Sequence, residues 1–88
     1  MYYVYLLKNS VSNKLYFGYT TNIRQRVIDH NKGKTRTTKT KGKWILVYYE
    51  AYFNKKDATQ REWNLKHQGR QRDFLKSNIK NTLHAVIV

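Results

Sequence analysis

The fold of this chain is decided by residues 2–20, YYVYLLKNSVSNKLYFGYT. Tyr, Val and Leu dominate residues 2–8 and no Gly or Pro interrupts them, which predicts a strand. Both alternating faces of this strand are apolar, so we expect it to be covered on each side. The polar segment 9–13 has the length of a hairpin turn, and residues 14–20 predict a second strand. The two strands together predict an antiparallel hairpin.

The rest of the chain predicts three helices and one further strand. Their expected bounds are 22–31 for a helix, 44–53 for a strand, and 55–67 and 71–79 for two helices. Thr21 or Asn22 offers an N-cap for the first helix, and Gly69 is a candidate to end the second. The apolar end, within residues 80–88, either docks on the sheet or forms an edge strand. The order β-β-α-β-α-α predicts an α+β fold with a small, mainly antiparallel three-stranded sheet flanked by helices.

Charge and length bound the function. The chain has 88 residues, a net charge of +13 and no cysteine, which predicts one domain without disulfides or Cys-based metal sites. A folded domain with a pI near 10.2 most often meets a polyanion, and nucleic acid is the first expectation. An acidic membrane surface or an acidic protein is the alternative.

No apolar run approaches the ~18 residues of a membrane span, and the first residues lack the basic segment of a signal peptide. We therefore expect a cytoplasmic protein.

Much of the charge is concentrated in one polar segment, residues 32–43, which predicts a solvated loop. Half of its residues are basic, namely Lys32, Lys34, Arg36, Lys39, Lys41 and Lys43. Together with Lys66 and Arg70, these cations are expected to contact a nucleic-acid backbone without reading its sequence.

Few side chains are available for catalysis. There is no thiol, and the three histidines have no tight metal-ligand spacing. The five acidic residues occur singly, which argues against a metal centre built from several carboxylates. An enzyme with this sequence must therefore use Tyr, Arg, His and one carboxylate.

One carboxylate lies on a predicted inward face. Ala58, Glu62, Leu65 and Gly69 recur at spacings of four, three and four, which places them on one stripe of a helix. An acid facing the sheet is costly unless it is paired or binds a cation. The alternatives are a salt bridge to one of the 18 cations and an acid at the edge of the apolar face.

The first helix and the hairpin offer the remaining candidates. Arg26 and His30 are four residues apart and share a face, where an Arg could hold a phosphate with two hydrogen bonds; the alternative is a solvated helix face. The hairpin tyrosines include Tyr5 and Tyr16. Packing is the ordinary role of such residues, but a phenol beside cations favours the phenolate and could take a proton from water.

These residues, taken together, resemble the GIY-YIG nuclease family. The two tripeptides that name the family correspond to Tyr3-Val4-Tyr5 and Tyr16-Phe17-Gly18, with the first Gly and both Ile replaced. Arg26 follows Gly18 by eight residues, His30 follows by four more, and Glu62 falls at the position of the metal-binding Glu. The resemblance is greatest to the short, single-domain bacterial members, which are similar to the nuclease domain of the DNA-repair excinuclease, and it covers roughly residues 2–76.

The resemblance implies a metal-dependent endonuclease acting on DNA. Its catalytic residues would be Tyr5, Tyr16, Arg26, His30 and Glu62. Glu62 would bind a single Mg²⁺ or Mn²⁺ ion, and Gly18 would let the backbone approach the substrate or the first helix; a turn at the end of the strand is the alternative for Gly18. RNA remains open as a substrate, and a protein partner would supply targeting. The rival hypothesis is a basic DNA- or RNA-binding module without turnover.

Overall fold

The computed structural model describes residues 1–33 and 41–85, and its elements follow the predicted order with one addition. The elements are β1 (Tyr2–Asn9), β2 (Leu15–Thr20), α1 (Ile23–Asn31), β3 (Trp44–Tyr52), α2 (Lys55–His67), α3 (Gly69–Asn78) and α4 (Lys80–His84). The predicted α+β fold with a small antiparallel sheet is confirmed. Three of the predicted nucleic-acid contacts, Lys34, Arg36 and Lys39, lie outside the described residues, as do residues 86–88.

The sheet has the order β2-β1-β3, and both pairings are antiparallel. Tyr5, in the central strand, lies opposite Gly18 of β2 and Tyr49 of β3. From Val4 to Leu7 the central strand is at most 1% exposed, so the prediction that it is covered on both sides is confirmed. Because side chains alternate along β1, successive residues of this strand pack into two different layers, one on each face of the sheet.

Each face of the sheet has its own apolar cluster. The larger cluster packs Val4, Leu6 and Phe17 of the sheet against residues of α2, α3 and α4, namely Ala58, Leu65, Leu75 and Leu83. The smaller cluster lies on the opposite face, where Tyr5, Leu7 and Trp44 pack with Val27 of α1. Tyr5 is therefore placed under α1, the helix that carries Arg26 and His30.

Side-chain hydrogen bonds fix both ends of α1. The Asn22 carboxamide oxygen accepts the backbone N–H of Gln25 at 3.1 Å, which confirms Asn22 as the N-cap. At the other end, the Asn31 carboxamide donates to the carbonyl of Trp44 at 2.9 Å and accepts its N–H at 2.8 Å. This pair of bonds ties the end of α1 to the start of β3 and so fixes the neighbouring His30.

The C-terminal part agrees with one of its two predicted alternatives. Residues 80–84 form the short helix α4, which docks on the larger cluster through Leu83 and is not an edge strand; Ile79, four residues earlier, packs on the same cluster. Gly69 begins α3 instead of ending α2, since the chain already turns at the extended residue Gln68. Among residues 1–33 and 41–85, no helix has the length and apolarity needed to cross a membrane.

Candidate active site

The hydroxyl of Tyr5 is the point at which the candidate residues meet. Nε of Arg26 donates a hydrogen bond to this oxygen at 3.2 Å, and Nε2 of His30 lies 2.9 Å from it. Tyr5 and His30 are each only 1% exposed. The i,i+4 pair predicted on α1 therefore faces the sheet. The alternative of a solvated helix face is wrong for the buried His30, whereas Arg26 is partly exposed with its Nε turned to Tyr5.

Gly18 provides the space that the Tyr5 ring occupies. A Cβ atom at Gly18 would lie 2.2 Å from the Tyr5 oxygen and 2.3 Å from Cζ. The two residues are directly paired across β1 and β2, so the ring lies over the glycine. Gly18 is inside a regular strand, which makes the strand-end turn a wrong interpretation. Within the protein, the close approach at Gly18 is to the Tyr5 side chain and not to the first helix, which was one of the two approaches expected; the approach to substrate stays a prediction.

Burial decides the protonation of this cluster. Removal from water raises the pKa of the Tyr5 phenol to about 12, and the hydrogen bond from Arg26 only partly opposes this effect. Burial, with Arg26 nearby, lowers the pKa of His30. The hydrogen bond to Tyr5 raises the pKa of Arg26. At neutral pH the cluster therefore holds a neutral phenol, a neutral imidazole and a charged guanidinium. The expectation that cations favour the phenolate is wrong for Tyr5.

Tyr16 lies beside this cluster but is only partly buried. Its ring meets the ring of His30 edge to face, with 4.7 Å between the centroids. The ammonium of Lys66 lies 5.5 Å from the centroid of the Tyr16 ring. Tyr16 therefore connects the buried Tyr5–His30 pair with the surface at α2.

Glu62 lies on α2 on the stripe predicted from its spacing. Ala58 and Leu65 of that stripe are fully buried, whereas the Glu62 side chain is 25% exposed and lies 3.3 Å from the ammonium of Lys66. Its charge is close enough to contribute to the raised pKa of Tyr5. The salt bridge proposed as one alternative is thus present, in the i,i+4 form within one helix.

The donor set at Glu62 fits one particular kind of metal site. No group of three or more His, Cys, Asp or Glu side chains converges anywhere in residues 1–33 and 41–85. One partly exposed carboxylate, open to water on one side, suits Mg²⁺ or Mn²⁺, since Mg²⁺ keeps much of its hydration shell. Lys66 would have to give up its contact with Glu62 for such an ion to bind.

The predicted nucleic-acid contacts divide into three groups. Lys66 lies next to Tyr16 and Glu62. Arg70 is exposed at the start of α3. Lys32, Lys41 and Lys43 are exposed at the two ends of the basic segment, next to α1 and β3.

Sequence reasoning missed a polar network on the opposite face of the sheet. The Glu50 carboxylate accepts Nε and Nη2 of Arg61 at 2.9 and 3.1 Å, and the hydroxyls of Tyr48 and Tyr52 at 2.6 and 2.5 Å. These four bonds lower the pKa of Glu50 against the effect of its burial. The signal in the sequence is an acid between two tyrosines at a spacing of two, which places all three on one face of a strand.

Comparisons with known proteins give one family match and several similar bacterial proteins. Residues 1–77 match the family described as the GIY-YIG catalytic domain. The UPF0213 protein SH2523 of Staphylococcus haemolyticus is 44% identical over 71 residues, covering 80% of this chain and 85% of that protein. A UPF0213 protein of Pediococcus pentosaceus is 39% identical over 80 residues, covering 88% and 83%.

The fold is also similar to a solved structure. The solution NMR structure of the UPF0213 protein BH0048 from Bacillus halodurans matches with a TM-score of 0.55 and 32% identity, and the match covers 91% of this chain and 86% of that one. The fold, the placement of both tripeptides and the family match over residues 1–77 lead to the same conclusion. This chain belongs to the GIY-YIG family, and its relatives are the small bacterial UPF0213 proteins.

Proposed function

We propose that this protein is a metal-dependent endonuclease that hydrolyses DNA phosphodiester bonds. GIY-YIG proteins are generally nucleases and typically use a divalent metal ion. One observation supports the proposal most strongly. Arg26 and His30 of α1 converge on the hydroxyl of Tyr5 in β1, whose ring lies over Gly18 and leaves no room there for a side chain. Such preorganised polar groups are what a transition state with developing charge requires.

Arg26 would stabilise the phosphoryl group. Its Nε is occupied by Tyr5, so the plane of the guanidinium is fixed while the two Nη groups remain to meet phosphate oxygens. A planar, permanently charged fork is suited to this task. The negative charge that develops on the phosphorus oxygens during attack would be met by donors already in position.

The two tyrosines would have different roles. Tyr5 is 1% exposed and has a raised pKa, so it would position Arg26 rather than contact water. Tyr16 is the partly exposed phenol, beside both Lys66 and His30. It would orient the attacking water and accept its proton, because it is the partly exposed phenol of the two. Of the two hairpin phenols, Tyr16 rather than Tyr5 is therefore the proposed general base.

Glu62 would hold a single divalent ion, which supplies positive charge for the leaving oxygen. The recognition of substrate would depend on DNA structure rather than sequence. The described cations near the site are lysines and arginines on an open surface, which contact phosphates in any sequence.

The test is nicking of supercoiled plasmid in Mg²⁺ and in EDTA. We expect nicking only with the metal, no nicking by Glu62→Ala, and a loss of about 10²–10³-fold for Arg26→Ala, the size seen when one transition-state donor is removed. Tyr16→Phe should lose at least ~10²-fold and more than Tyr5→Phe. Matched cleavage of single-stranded, duplex and branched DNA and of RNA would define the substrate.

Metal-independent binding without nicking would refute the enzyme and favour the non-catalytic basic module. Wild-type nicking by Glu62→Ala would refute the metal assignment alone. Both outcomes can be read from the same plasmid assay when binding is followed in parallel by fluorescence anisotropy.

A further inference from the structure

A groove of about 520 Å³ follows the free edge of β2, next to the candidate active site. Leu15, Phe17 and Leu65 contribute its apolar floor, and Tyr16 borders it from the other face of the sheet. Since β2 is an edge strand, the groove wraps around that edge and reaches the corner between α2 and α3.

The charged residues of this groove are all cations. Lys66, Arg72 and Lys76 line it, and no acidic residue does. Arg72 and Lys76 are four residues apart on α3, which places them on one face with their Cβ atoms about 5–6 Å apart. Long basic side chains at that separation can reach neighbouring phosphates of one strand.

Arg72 is held in place by the helix before it. Its Nη1 donates to the carbonyls of Leu65 and Lys66 at 3.2 and 3.3 Å, at the end of α2. Within residues 1–33 and 41–85, Nε and Nη2 of Arg72 have no hydrogen-bond partner. The guanidinium is thus fixed by one nitrogen, and its remaining donors are available to an anion.

The groove and the active site share two side chains, Tyr16 and Lys66. We propose that the groove binds the phosphodiester backbone of the substrate strand next to the cut site, with Arg72 and Lys76 contacting its phosphates. This inference rests on the proposed function for its substrate. Sequence reasoning named Lys66 and Arg70 among the backbone contacts, and the groove adds Arg72 and Lys76 to Lys66.

The test measures binding of a labelled oligonucleotide to the Glu62→Ala protein in EDTA, by anisotropy across a salt series. Lys76→Gln should reduce the slope of log K against log salt by about 0.7 with a single strand or about 0.9 with a duplex. At 0.1 M salt the single-strand affinity should fall about fivefold. Arg72→Gln/Lys76→Gln should double the change in slope. The matched control is Lys55→Gln, an exposed lysine at the other end of α2.

A reduced slope for Lys76→Gln but not for Lys55→Gln supports the groove, and the oligonucleotide that shows it identifies the strand form. Equal slopes for both variants would overturn the proposal, since the binding would then depend only on total charge. Lys76 is exposed and its substitution leaves the Arg72 bonds intact, so loss of folding does not confuse the result. Because no cleavage is measured, the outcome stands apart from that of the plasmid assay.

Discussion

Substitution of Gly18 by Ala should disrupt the candidate active site by displacing the ring of Tyr5. The added Cβ would lie 2.2 Å from the Tyr5 oxygen, whereas ordinary contact begins at 3.4 Å. The ring must therefore shift by about 1.2 Å. It would move either into Arg26 and His30 or away from them, and both bonds to the hydroxyl would be lost or badly distorted.

The size of the effect follows from this displacement. Overpacking a buried site typically costs about 1–3 kcal/mol. For a domain of this length the Tm should fall by about 4–24 °C, since each kcal/mol shifts it by about 4–8 °C. The protein stays folded at 25 °C, because domains have about 5–15 kcal/mol of stability. Nicking should fall about 100-fold, as expected when a catalytic group is misplaced by about 1 Å.

The assay pairs thermal unfolding by circular dichroism with plasmid nicking at 25 °C. Gly69→Ala is the matched control, because its Cβ would find its nearest atom, Nη2 of Arg72, at 3.5 Å. That variant should keep both the Tm and the nicking rate of the parent protein. If Gly18→Ala behaved like Gly69→Ala in both measurements, the packing of Tyr5 over Gly18 would not be what positions the site.

Four further predictions test other parts of the structure. Lys66→Met should tighten Mn²⁺ binding by up to about fivefold in calorimetry. The ammonium of Lys66, 3.3 Å from the Glu62 carboxylate, competes with the metal ion, and such exposed ion pairs are worth at most about 1 kcal/mol. An unchanged Kd would argue against Glu62 as the ligand. Glu50→Ala should cost about 3 kcal/mol in urea unfolding, since it leaves a partly buried guanidinium unpaired, and a cost below about 1 kcal/mol would show that the network contributes little. The Tm should fall as the pH drops below 6.5, the ordinary pKa of histidine. Folding lowers the pKa of His30, so below this pH the unfolded chain binds a proton that the folded protein does not bind. In His30→Gln this part of the pH dependence should disappear. Asn31→Ala should cost about 1–3 kcal/mol for its two bonds to the Trp44 backbone, and equal stability of the variant and the parent protein would contradict that tie.

Local features of the sequence predict most of the fold. The hairpin, the Asn22 cap and the bounds of α2 depend on neighbours within a few residues, and all three agree with the structure. The fourth helix was missed because its helical spacing involves only Ile79 and Leu83. A five-residue helix gives too short a pattern to distinguish it from a docked tail.

The sequence predicts which residues meet at the Tyr5 hydroxyl, but not what each of them would do there. Spacing placed Arg26 and His30 on one face of α1. That Tyr5 and Tyr16 share a face of the sheet follows only from the register of β1 with β2. Which of these tyrosines reaches solvent depends on where α1 crosses the sheet, and that is a long-range property. The Glu50–Arg61 pair also joins two elements that are distant in sequence, so only the strand half of the network left a signal.

The bonds between Asn31 and Trp44 have a consequence for the segment that they enclose. A second pair of bonds, between Ser10 and the backbone of Lys43, holds the same end of β3. The side chains of Asn31 and Ser10 therefore tie the two flanks of the segment to the rest of the fold. A chain closed at both ends loses only about 0.6 kcal/mol when its length doubles. An insertion between residues 33 and 41 should thus cost little as long as Asn31 and Trp44 keep their bonds.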